Sequence, residues 1–535
     1  MPLHWPQNKT KRGNSLNSLH TLPSYSSTAS TNAIIEPRAH PVREQHGWLT
    51  NGCIRTTITV AAFGLYAIWW CYYGAAPSAP EAGHDDANAS VTTGEGARTW
   101  WGTPAGVIKA PPLGVPKAIQ TKWAMYSPWH ALQTYEPPPA GCNITQVGLS
   151  LGCELQRHGA RFPNEEDGEL YALGVRQLAT AEKFTDKRLR FMKGYEYTLG
   201  ADDLVPFGAA QTFESGQIAY KRYKHLVDPH NVPFVRAADA PRVMSTATNW
   251  TVGFAVGSHQ RVQPYLNVAL SEDVNNTLNQ DCPSAPDGSF ETSIWLSIFG
   301  AALAARLNAL APGANLNATH VFGLLAMCPF ESVALEEESA FCRLFTEEDF
   351  RNFEYFGDLE KYYRTGYGAQ LGRVRGVGYV NELLARLTDS PVEDHTTHNA
   401  SLEFPLGRAI YADFTHENLM VAVYSALGLF NISATPLDPR ARPVPTASGD
   451  ASTWVASRMV PFSSRMVTER LQCTAGGPRG AGTFVRVLVN DEPQPLEFCG
   501  GGLKRGERMC ALGAFVESQG YARRSGDGDF LKCYN

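Results

Sequence analysis

The pattern of apolar and polar positions predicts several short strands and amphipathic helices. Val147 to Leu155 is an apolar run typical of a buried strand, and Phe484 to Val489 is the clearest strand late in the chain. Phe234 to Arg236 and an apolar run that ends at Phe414 predict two more strands. Helical spacing is present in these segments: Glu169 to Phe191, Gln211 to Tyr223, Val243 to Val256 and Glu417 to Leu429.

Residues from about 290 to 390 are predicted to be mainly helical. The helical patterns there are Ile294 to Leu310, Glu347 to Tyr363 and Tyr379 to Leu387. Two helix caps are expected elsewhere: Asp202 or Asp203 before the helix that carries Gln211, and Thr415 before the helix that starts at Glu417.

The amino-terminal region predicts a membrane anchor. Residues 1–56 are rich in Ser, Thr, Asn and Pro and are expected to form a disordered cytoplasmic tail. Residues 57–76 carry no charge and are just long enough to span a bilayer core of about 30 Å. Basic residues dominate before this segment and acidic residues after it, which predicts a single-pass type II protein with an extracellular or luminal catalytic domain.

A signal peptide cleaved near Ala76 is the alternative, although its leader of about 55 residues exceeds what such peptides carry. Residues 77–140 are expected to form a stalk and an amino-terminal wrap, and residues 141–535 the globular domain. Cleavage of the stalk, which would release the domain, remains open.

Composition narrows the class of protein. The 535 residues are 43% hydrophobic and 18% charged, which is ordinary for a globular protein with a sizeable core. The formal net charge is −6, so there is no basic surplus to neutralise a nucleic-acid backbone. A local basic pocket is still allowed.

Cysteines and glycosylation sequons agree with an oxidising, glycosylating compartment. Nine of the eleven cysteines lie beyond the anchor, and their spacing alone does not fix the pairing. The expected glycosylation sites are Asn88, Asn143, Asn249, Asn275, Asn317, Asn399 and Asn431.

The most informative motif is Arg157-His158-Gly159-Ala160-Arg161, which follows the Val147 to Leu155 strand. Ligands bind at the carboxyl ends of strands in open α/β sheets. Arg guanidiniums pair with phosphate oxygens in bidentate fashion, and a neutral imidazole can attack phosphorus. Taken alone, such an Arg-His pair is more often surface arginines beside a hydrogen-bonded loop histidine.

The motif, followed by Phe162-Pro163, matches the Arg-His-Gly-X-Arg-X-Pro signature of the histidine acid phosphatases, branch 2 of the histidine phosphatase superfamily. Residues 140–535 resemble the fungal phytase type of that family. The resemblance implies an α/β fold of the phosphoglycerate mutase type, a mixed sheet flanked by helices, with a smaller helical subdomain at roughly 290–390. The site would lie between the two.

The resemblance also implies four disulfides. These are Cys142–Cys473, Cys282–Cys533, Cys328–Cys342 and Cys499–Cys510. Cys153 is left over and is expected to be a buried free thiol rather than a nucleophile.

Site residues are likewise carried over from the resemblance. His158 would be the nucleophile and Glu417 the proton donor. The substrate-binding residues would be Arg157, Arg161, Arg242, His416, Asn418, Lys193 and Arg188. Arg236 competes with Arg242 for its role, and Asp413 is expected to point away from the cleft. No metal or cofactor is expected, and the partner is a small phosphomonoester.

Two departures from the family pattern leave alternatives open. The family has His-Asp where this chain has His416-Glu417. After the motif, the segment with Glu165, Glu166, Asp167 and Glu169 is acidic where the phytase type usually carries lysines. The acidic segment is expected to be a solvated loop. The leading hypothesis is a phytase acting on inositol hexakisphosphate; the alternatives are a broad-specificity acid phosphatase and a catalytically weak surface glycoprotein that binds phosphorylated ligands.

Overall fold

The computed structural model describes residues 109–146, 153–279, 281–444, 453–500 and 508–535. Within this part of the chain the strands form one mixed sheet. They are β1 (Cys142–Gln146), β2 (Cys153–Arg157), β3 (Phe234–Ala238), β4 (Leu266–Leu270), β5 (Tyr411–Thr415), β6 (Arg465–Cys473), β7 (Gly482–Val489), β8 (Glu492–Pro493) and β9 (Cys510–Ala511). Their order is β4-β3-β5-β2-β6-β7-β8, with β1 paired to β6 and β9 paired to β7.

One half of the sheet is parallel, and its strands end level with one another. Arg157 at the end of β2 is opposite Thr415 at the end of β5, and β3 runs parallel between β5 and β4. Residues that follow these four strands therefore lie along the same edge of the sheet. β6 and β7 pair in antiparallel fashion and complete the other half.

The longer helices cover the sheet and form a layer beside it. They are α1 (Glu165–Ala179), α2 (Pro206–Tyr223), α3 (Pro241–Gly257), α4 (Ser289–Leu310), α5 (Ala318–Leu335), α6 (Glu347–Arg364), α7 (Val377–Thr388) and α8 (Glu417–Leu427). Every residue of β3 and β5 is buried, as expected for parallel strands with both faces covered. Helices α4 to α7 occupy most of residues 289–388, so this stretch is mainly helical as its pattern predicts.

Helices α2 and α3 approach each other so closely that glycine is required at the contact. A Cβ on Gly216 would lie 2.1 Å from the carbonyl oxygen of Trp250, and one on Gly253 would lie 2.0 Å from that of Phe213. This contact fixes α3 against α2, and α3 begins at the edge of the sheet where the parallel strands end.

Residues 109–140 wrap the folded body. Trp123 is fully buried, and the backbone N–H of Ala124 donates to the carboxylate of Glu354 on α6 at 2.6 Å. Further along, the N–H of Leu132 donates to the carbonyl of Asn490 after β7. The segment thus connects the helical layer with the antiparallel half of the sheet.

The four expected disulfides are confirmed: Cys142–Cys473, Cys282–Cys533, Cys328–Cys342 and Cys499–Cys510 all form. They join segments up to 331 residues apart in the sequence. Such crosslinks persist in oxidising compartments, which agrees with a domain outside the cytoplasm.

Both predicted helix caps are wrong. Helix α2 begins after Val205, with Pro206 in the first helical position, so no side chain of Asp202 or Asp203 caps it. Helix α8 has His416 at its cap position, because Thr415 is still part of β5 and donates its hydroxyl to the carbonyl of Leu278.

Two further predictions are wrong: Glu169 to Phe191 is not one helix, and the acidic segment after the motif is not a loop. Helix α1 starts at Glu165 and ends at Ala179, and a separate 3₁₀ helix covers Lys187–Gly194. Asn164 caps α1 by accepting from the N–H of Asp167, so the acidic residues occupy a first helical turn, where the helix dipole favours negative charge.

The predicted tail, anchor and Asn88 lie outside the described residues. Among the described helices, α4 and α5 are long and apolar enough to cross a membrane by length and composition, but α5 is largely buried in the domain. Asn143, Asn275, Asn317, Asn399 and Asn431 are exposed. Asn249 lies within α3 and donates to the carbonyl of Ser245, so its sequon is in regular helix.

Candidate active site

Residues from the ends of all four parallel strands meet at one edge of the sheet. His158 follows β2, His416 follows β5, Arg242 follows β3 in the first turn of α3, and Glu272 follows β4. The rings of His158 and His416 are 5.4 Å apart between centroids. The sequence motif and the later histidine therefore belong to the same site.

His158 is 1% exposed and is held in one orientation. Its backbone N–H donates to the carbonyl of Thr415, and its own carbonyl accepts from the N–H of Ser463. In the ring, Nδ1 lies 2.8 Å from the carbonyl oxygen of Gly159. Because that oxygen can only accept, Nδ1 carries the proton and Nε2 keeps its lone pair.

The surroundings of His158 keep its ring neutral. Burial lowers the pKa of His158 well below its usual value, and the nearby charges of Arg157, His416 and Arg161 lower it further. Gly159 allows the tight approach of this loop, because a Cβ there would lie 2.6 Å from the carbonyl oxygen of Gly208. An uncharged ring nitrogen with a free lone pair is the state that a nucleophile requires.

Arg157 is fully buried and tightly held. Its Nη1 donates to the carbonyls of Met125 and Val460, and its guanidinium lies 4.6 Å from the ring centroid of Phe462. Its Nε lies 2.9 Å from Oε2 of Glu417. Burial lowers the pKa of Arg157 to about 10, which leaves the group charged at acid and neutral pH.

Three buried guanidinium N–H groups around His158 have no hydrogen-bond partner within the described ranges. They are Nη2 of Arg157, Nε of Arg161 and Nε of Arg242. Nη1 of Arg161 donates to the carbonyl of Phe162, and Nη1 of Arg242 lies 3.3 Å from Asp202. A buried donor without an acceptor is costly, so this arrangement fits an anion with several oxygens.

His416 has a partner that the sequence did not reveal. Its Nε2 lies 2.5 Å from Oε1 of Glu272, in the loop after β4. Burial raises the pKa of Glu272, but the hydrogen bond from His416 and the charges of His416 and Arg242 outweigh burial and lower it. Glu272 could have been found by the rule that located His158, since it also follows a parallel strand.

Among the described residues, Glu417 has the carboxylate nearest to the His158 ring. Its Oε2 lies 3.9 Å from Nε2 of His158, and its Oε1 lies 3.4 Å from Nζ of Lys361 on α6. Burial raises the pKa of Glu417, but Arg157, Lys361 and His158 lower it well below the usual value. Glu417 is therefore ionised.

Lys361 connects the helical layer to the site, and the sequence did not reveal it. The side chain is 2% exposed, and Nζ lies 2.7 Å from both Oδ1 of Asn418 and Oε2 of Glu360. In the sequence it is one charged residue in the helix-forming run Glu360-Lys361-Tyr362. Its role depends on contacts with α8, which local pattern does not show.

The other expected residues lie apart from this cluster or have other partners. Arg188 is exposed, pairs with Asp186 and donates to the carbonyl of Arg343, and Lys193 is exposed on the same 3₁₀ helix. Within the described residues, neither forms a hydrogen bond or ion pair with the histidines or arginines of the site. Arg236 pairs with Asp413, which is fully buried and points away from the cleft as expected.

No group of three or more His, Cys, Asp or Glu side chains is placed to hold a metal ion in the ranges that the structure describes. The arrangement that remains is a neutral imidazole, a set of cations and one carboxylate close to the imidazole. This is a set of groups suited to phosphoryl transfer.

A neutral histidine surrounded by arginines at the carboxyl edge of an α/β sheet is the site of a phosphate-handling enzyme. Residues 153–490 match the family model of the histidine phosphatase superfamily, branch 2. The chain is a member of that family, as its signature indicates.

The similar proteins within this family include fungal phytases. The chain is 37% identical over 429 residues to Phytase A of Arthroderma benhamiae, covering 76% of this chain and 91% of that protein. It is 36% identical over 444 residues to Phytase A of Aspergillus terreus, covering 78% and 91%. The crystal structure of the phytase from D. castellii superposes with a TM-score of 0.61 at 20% identity, covering 77% of this chain and 86% of that one, which supports the shared fold.

Proposed function

We propose that this protein is a histidine acid phosphatase of the phytase type, which releases phosphate from inositol hexakisphosphate and related monoesters through a phosphohistidine intermediate. The observation that carries the proposal is the set of buried, unpartnered guanidinium N–H groups around a neutral His158. The relatives named Phytase A supply the substrate class and favour this activity over the two alternatives.

In the first step the lone pair of His158 Nε2 attacks the phosphorus of the bound monoester. Nδ1 keeps its proton, which it donates to the carbonyl of Gly159, so the ring becomes cationic only when the N–P bond forms. Arg157, Arg161 and Arg242, together with His416, face the phosphoryl oxygens and stabilise the charge on them. Positioning and charge stabilisation of this kind provide most of the catalysis in phosphoryl transfer.

Glu417 is the proposed proton donor to the leaving alkoxide, and it must acquire a proton when substrate binds. The free site holds it ionised because Arg157 and Lys361 are adjacent. A bound phosphate neutralises those cations and removes the main stabilisation of the carboxylate. The second step, hydrolysis of the phosphohistidine, then uses the same carboxylate as the base that activates water.

Lys193, Arg188 and Asn418 are proposed to contact the remaining phosphates of a polyphosphorylated substrate. Asn418 is supported best, because Lys361 ties it to Glu417. Arg188 is supported least, since Asp186 already accepts from its guanidinium.

We also propose that residues 57–76 anchor the protein in a membrane as a type II span, with residues 1–56 in the cytoplasm, 77–140 as stalk and wrap, and 141–535 as the catalytic domain. The four disulfides support the placement of that domain in an oxidising compartment. The exposed sequons at Asn143, Asn275, Asn317, Asn399 and Asn431 are proposed to be glycosylated, together with Asn88 and the helical Asn249.

The test is phosphate release at acid pH by the purified full-length protein from inositol hexakisphosphate and from a small aryl phosphate. Wild type is expected to act on both, and His158→Ala to lose activity on both by at least about 1000-fold. Much faster turnover of the aryl phosphate than of inositol hexakisphosphate would support the broad-specificity enzyme. Binding of inositol hexakisphosphate without turnover would support the weak surface glycoprotein, and equal activity of His158→Ala would exclude His158 as the nucleophile.

A further inference from the structure

The contact between Glu272 and His416 joins the loop after β4 to the end of β5. Oε1 of Glu272 lies 2.5 Å from Nε2 of His416, and the carboxylate is about one third exposed. The inference below rests on the proposed function, because it concerns what His416 does to a phosphoryl group.

Hydrogen bonds hold both backbone polar groups of Glu272, its N–H and its carbonyl. Its N–H donates to the carboxylate of Asp239 at 2.9 Å, and its carbonyl accepts from the side chain of Asn279 at 3.1 Å. The same loop is fixed to β5, because the hydroxyl of Thr415 donates to the carbonyl of Leu278 at 2.6 Å. The carboxylate is therefore preorganised rather than a mobile surface charge.

This contact decides which edge of the His416 ring faces the site. A carboxylate oxygen can only accept, so Nε2 carries a proton and is committed to Glu272. Nδ1 is then the ring nitrogen left for the phosphoryl group, and it can donate to a phosphoryl oxygen when it also carries a proton. Without Glu272 the half-buried ring could rotate and present either nitrogen, or neither.

We propose that Glu272 is a positioning residue that acts through His416, holding Nε2 so that the opposite edge of the ring stabilises the phosphoryl group in the transition state. It does not touch the substrate itself. Its effect is therefore expected on kcat, where transition-state contacts appear, rather than on KM.

Full-length wild type is compared with Glu272→Gln, which keeps the shape and an acceptor oxygen but removes the charge. Glu272→Asp keeps the charge but shortens the side chain. The matched control is Asp273→Asn, which removes a charge from the exposed neighbour in the same loop. Each variant is assayed for kcat and KM on a small aryl phosphate, with its thermal unfolding midpoint measured in parallel.

Glu272→Gln is expected to lower kcat about tenfold or more with KM changed by less than about twofold, a smaller loss than the roughly 100- to 1000-fold expected when a donor itself is removed. Glu272→Asp is expected to be intermediate and Asp273→Asn to equal wild type. Wild-type kcat in Glu272→Gln, or an equal loss in Asp273→Asn, would overturn the proposal.

The pair His416→Asn and His416→Asn/Glu272→Gln shows whether Glu272 acts through His416. If it does, the second substitution adds less than about twofold to the loss caused by the first. Independent, multiplying losses would contradict the inference, and so would a lowered unfolding midpoint that accounts for the whole loss. If wild type itself releases no phosphate, the proposed function fails. If wild type is active and the Glu272 variants are equally active, only this inference fails.

Discussion

Oε2 of Glu417 lies 3.9 Å from Nε2 of His158, and among the described residues no other carboxylate lies within 4 Å of that ring nitrogen. The longer side chain of Glu, in place of the Asp found in the family pattern, still reaches both Arg157 and Lys361. The substitution has therefore kept the carboxylate in the site, which supports an active enzyme.

We expect Glu417→Asp to lower kcat about tenfold, because the carboxylate would retract by roughly an ångström and small displacements of catalytic groups are costly. The measurement is kcat and KM on an aryl phosphate, with Glu417→Gln as the variant that cannot donate a proton and should lose more. A rise of orders of magnitude in Glu417→Asp would instead support the weak surface glycoprotein.

Lys361 is expected to set the pH range in which Glu417 can donate. Because Lys361 is one of the charges that lower the pKa of Glu417, Lys361→Gln raises that pKa and keeps the carboxyl protonated at higher pH. The basic limb of the kcat profile on an aryl phosphate should therefore move to higher pH.

Lys532→Gln is the matched control for Lys361, since Lys532 is exposed and pairs with its near neighbour Asp529. A basic limb that stays in place in Lys361→Gln, or that moves equally in Lys532→Gln, would mean that Glu417 is not the group that limits the rate.

The sequence predicted the parts of the site that follow a strand and carry a motif. His158 comes directly after β2, so strand position and charge located it, whereas Arg242, four residues after β3, was located only by the resemblance to the family. Glu272 was missed because β4 is only partly buried and its pattern is weak. Lys361 was missed because it contacts Glu417 from another layer of the fold.

The caps show a second limit of local pattern. Thr415 is a good cap residue by type, but its backbone pairs with β2 as part of β5, and its hydroxyl donates to the carbonyl of Leu278. Pro206 begins α2 without a side-chain cap, because its fixed φ suits the first helical position. Tertiary contacts therefore decided the start of α8, and the backbone preference of proline decided the start of α2.

Glu154 on β2 predicts a pH dependence of stability. Burial raises its pKa to about 7, against the lowering influence of Arg465 and Arg222. Glu154 therefore holds its proton in the folded state up to a higher pH than in the unfolded chain. Its contribution to the free energy of unfolding is complete at low pH and is lost as the pH rises to about 7.

Between about pH 5 and about pH 8, we expect the free energy of unfolding to fall by about 2 kcal/mol less in Glu154→Gln than in wild type. Denaturant unfolding at the two pH values measures it, and Glu291→Gln on the surface of α4 is the control. An unchanged pH dependence in Glu154→Gln would show that Glu154 is not protonated in the fold at pH 5.

Asp167 is expected to weaken the binding of polyphosphates above its pKa. Burial raises the pKa of Asp167 to about 6, Arg161 lowers it, and Glu360 raises it further. Below about pH 6 the side chain is neutral beside Arg161, and above it a negative charge opposes a highly charged substrate. A substrate with a single phosphate should be affected much less.

Asp167→Asn should therefore lower KM for inositol hexakisphosphate severalfold at about pH 7 and leave it nearly unchanged at about pH 4.5. Glu169→Gln is the matched control, because Glu169 is an exposed carboxylate on the same helix α1. An aryl phosphate assayed in parallel should show a much smaller change in KM. Equal changes at both pH values would mean that Asp167 acts through the structure of α1, and its charge would then not explain substrate selectivity.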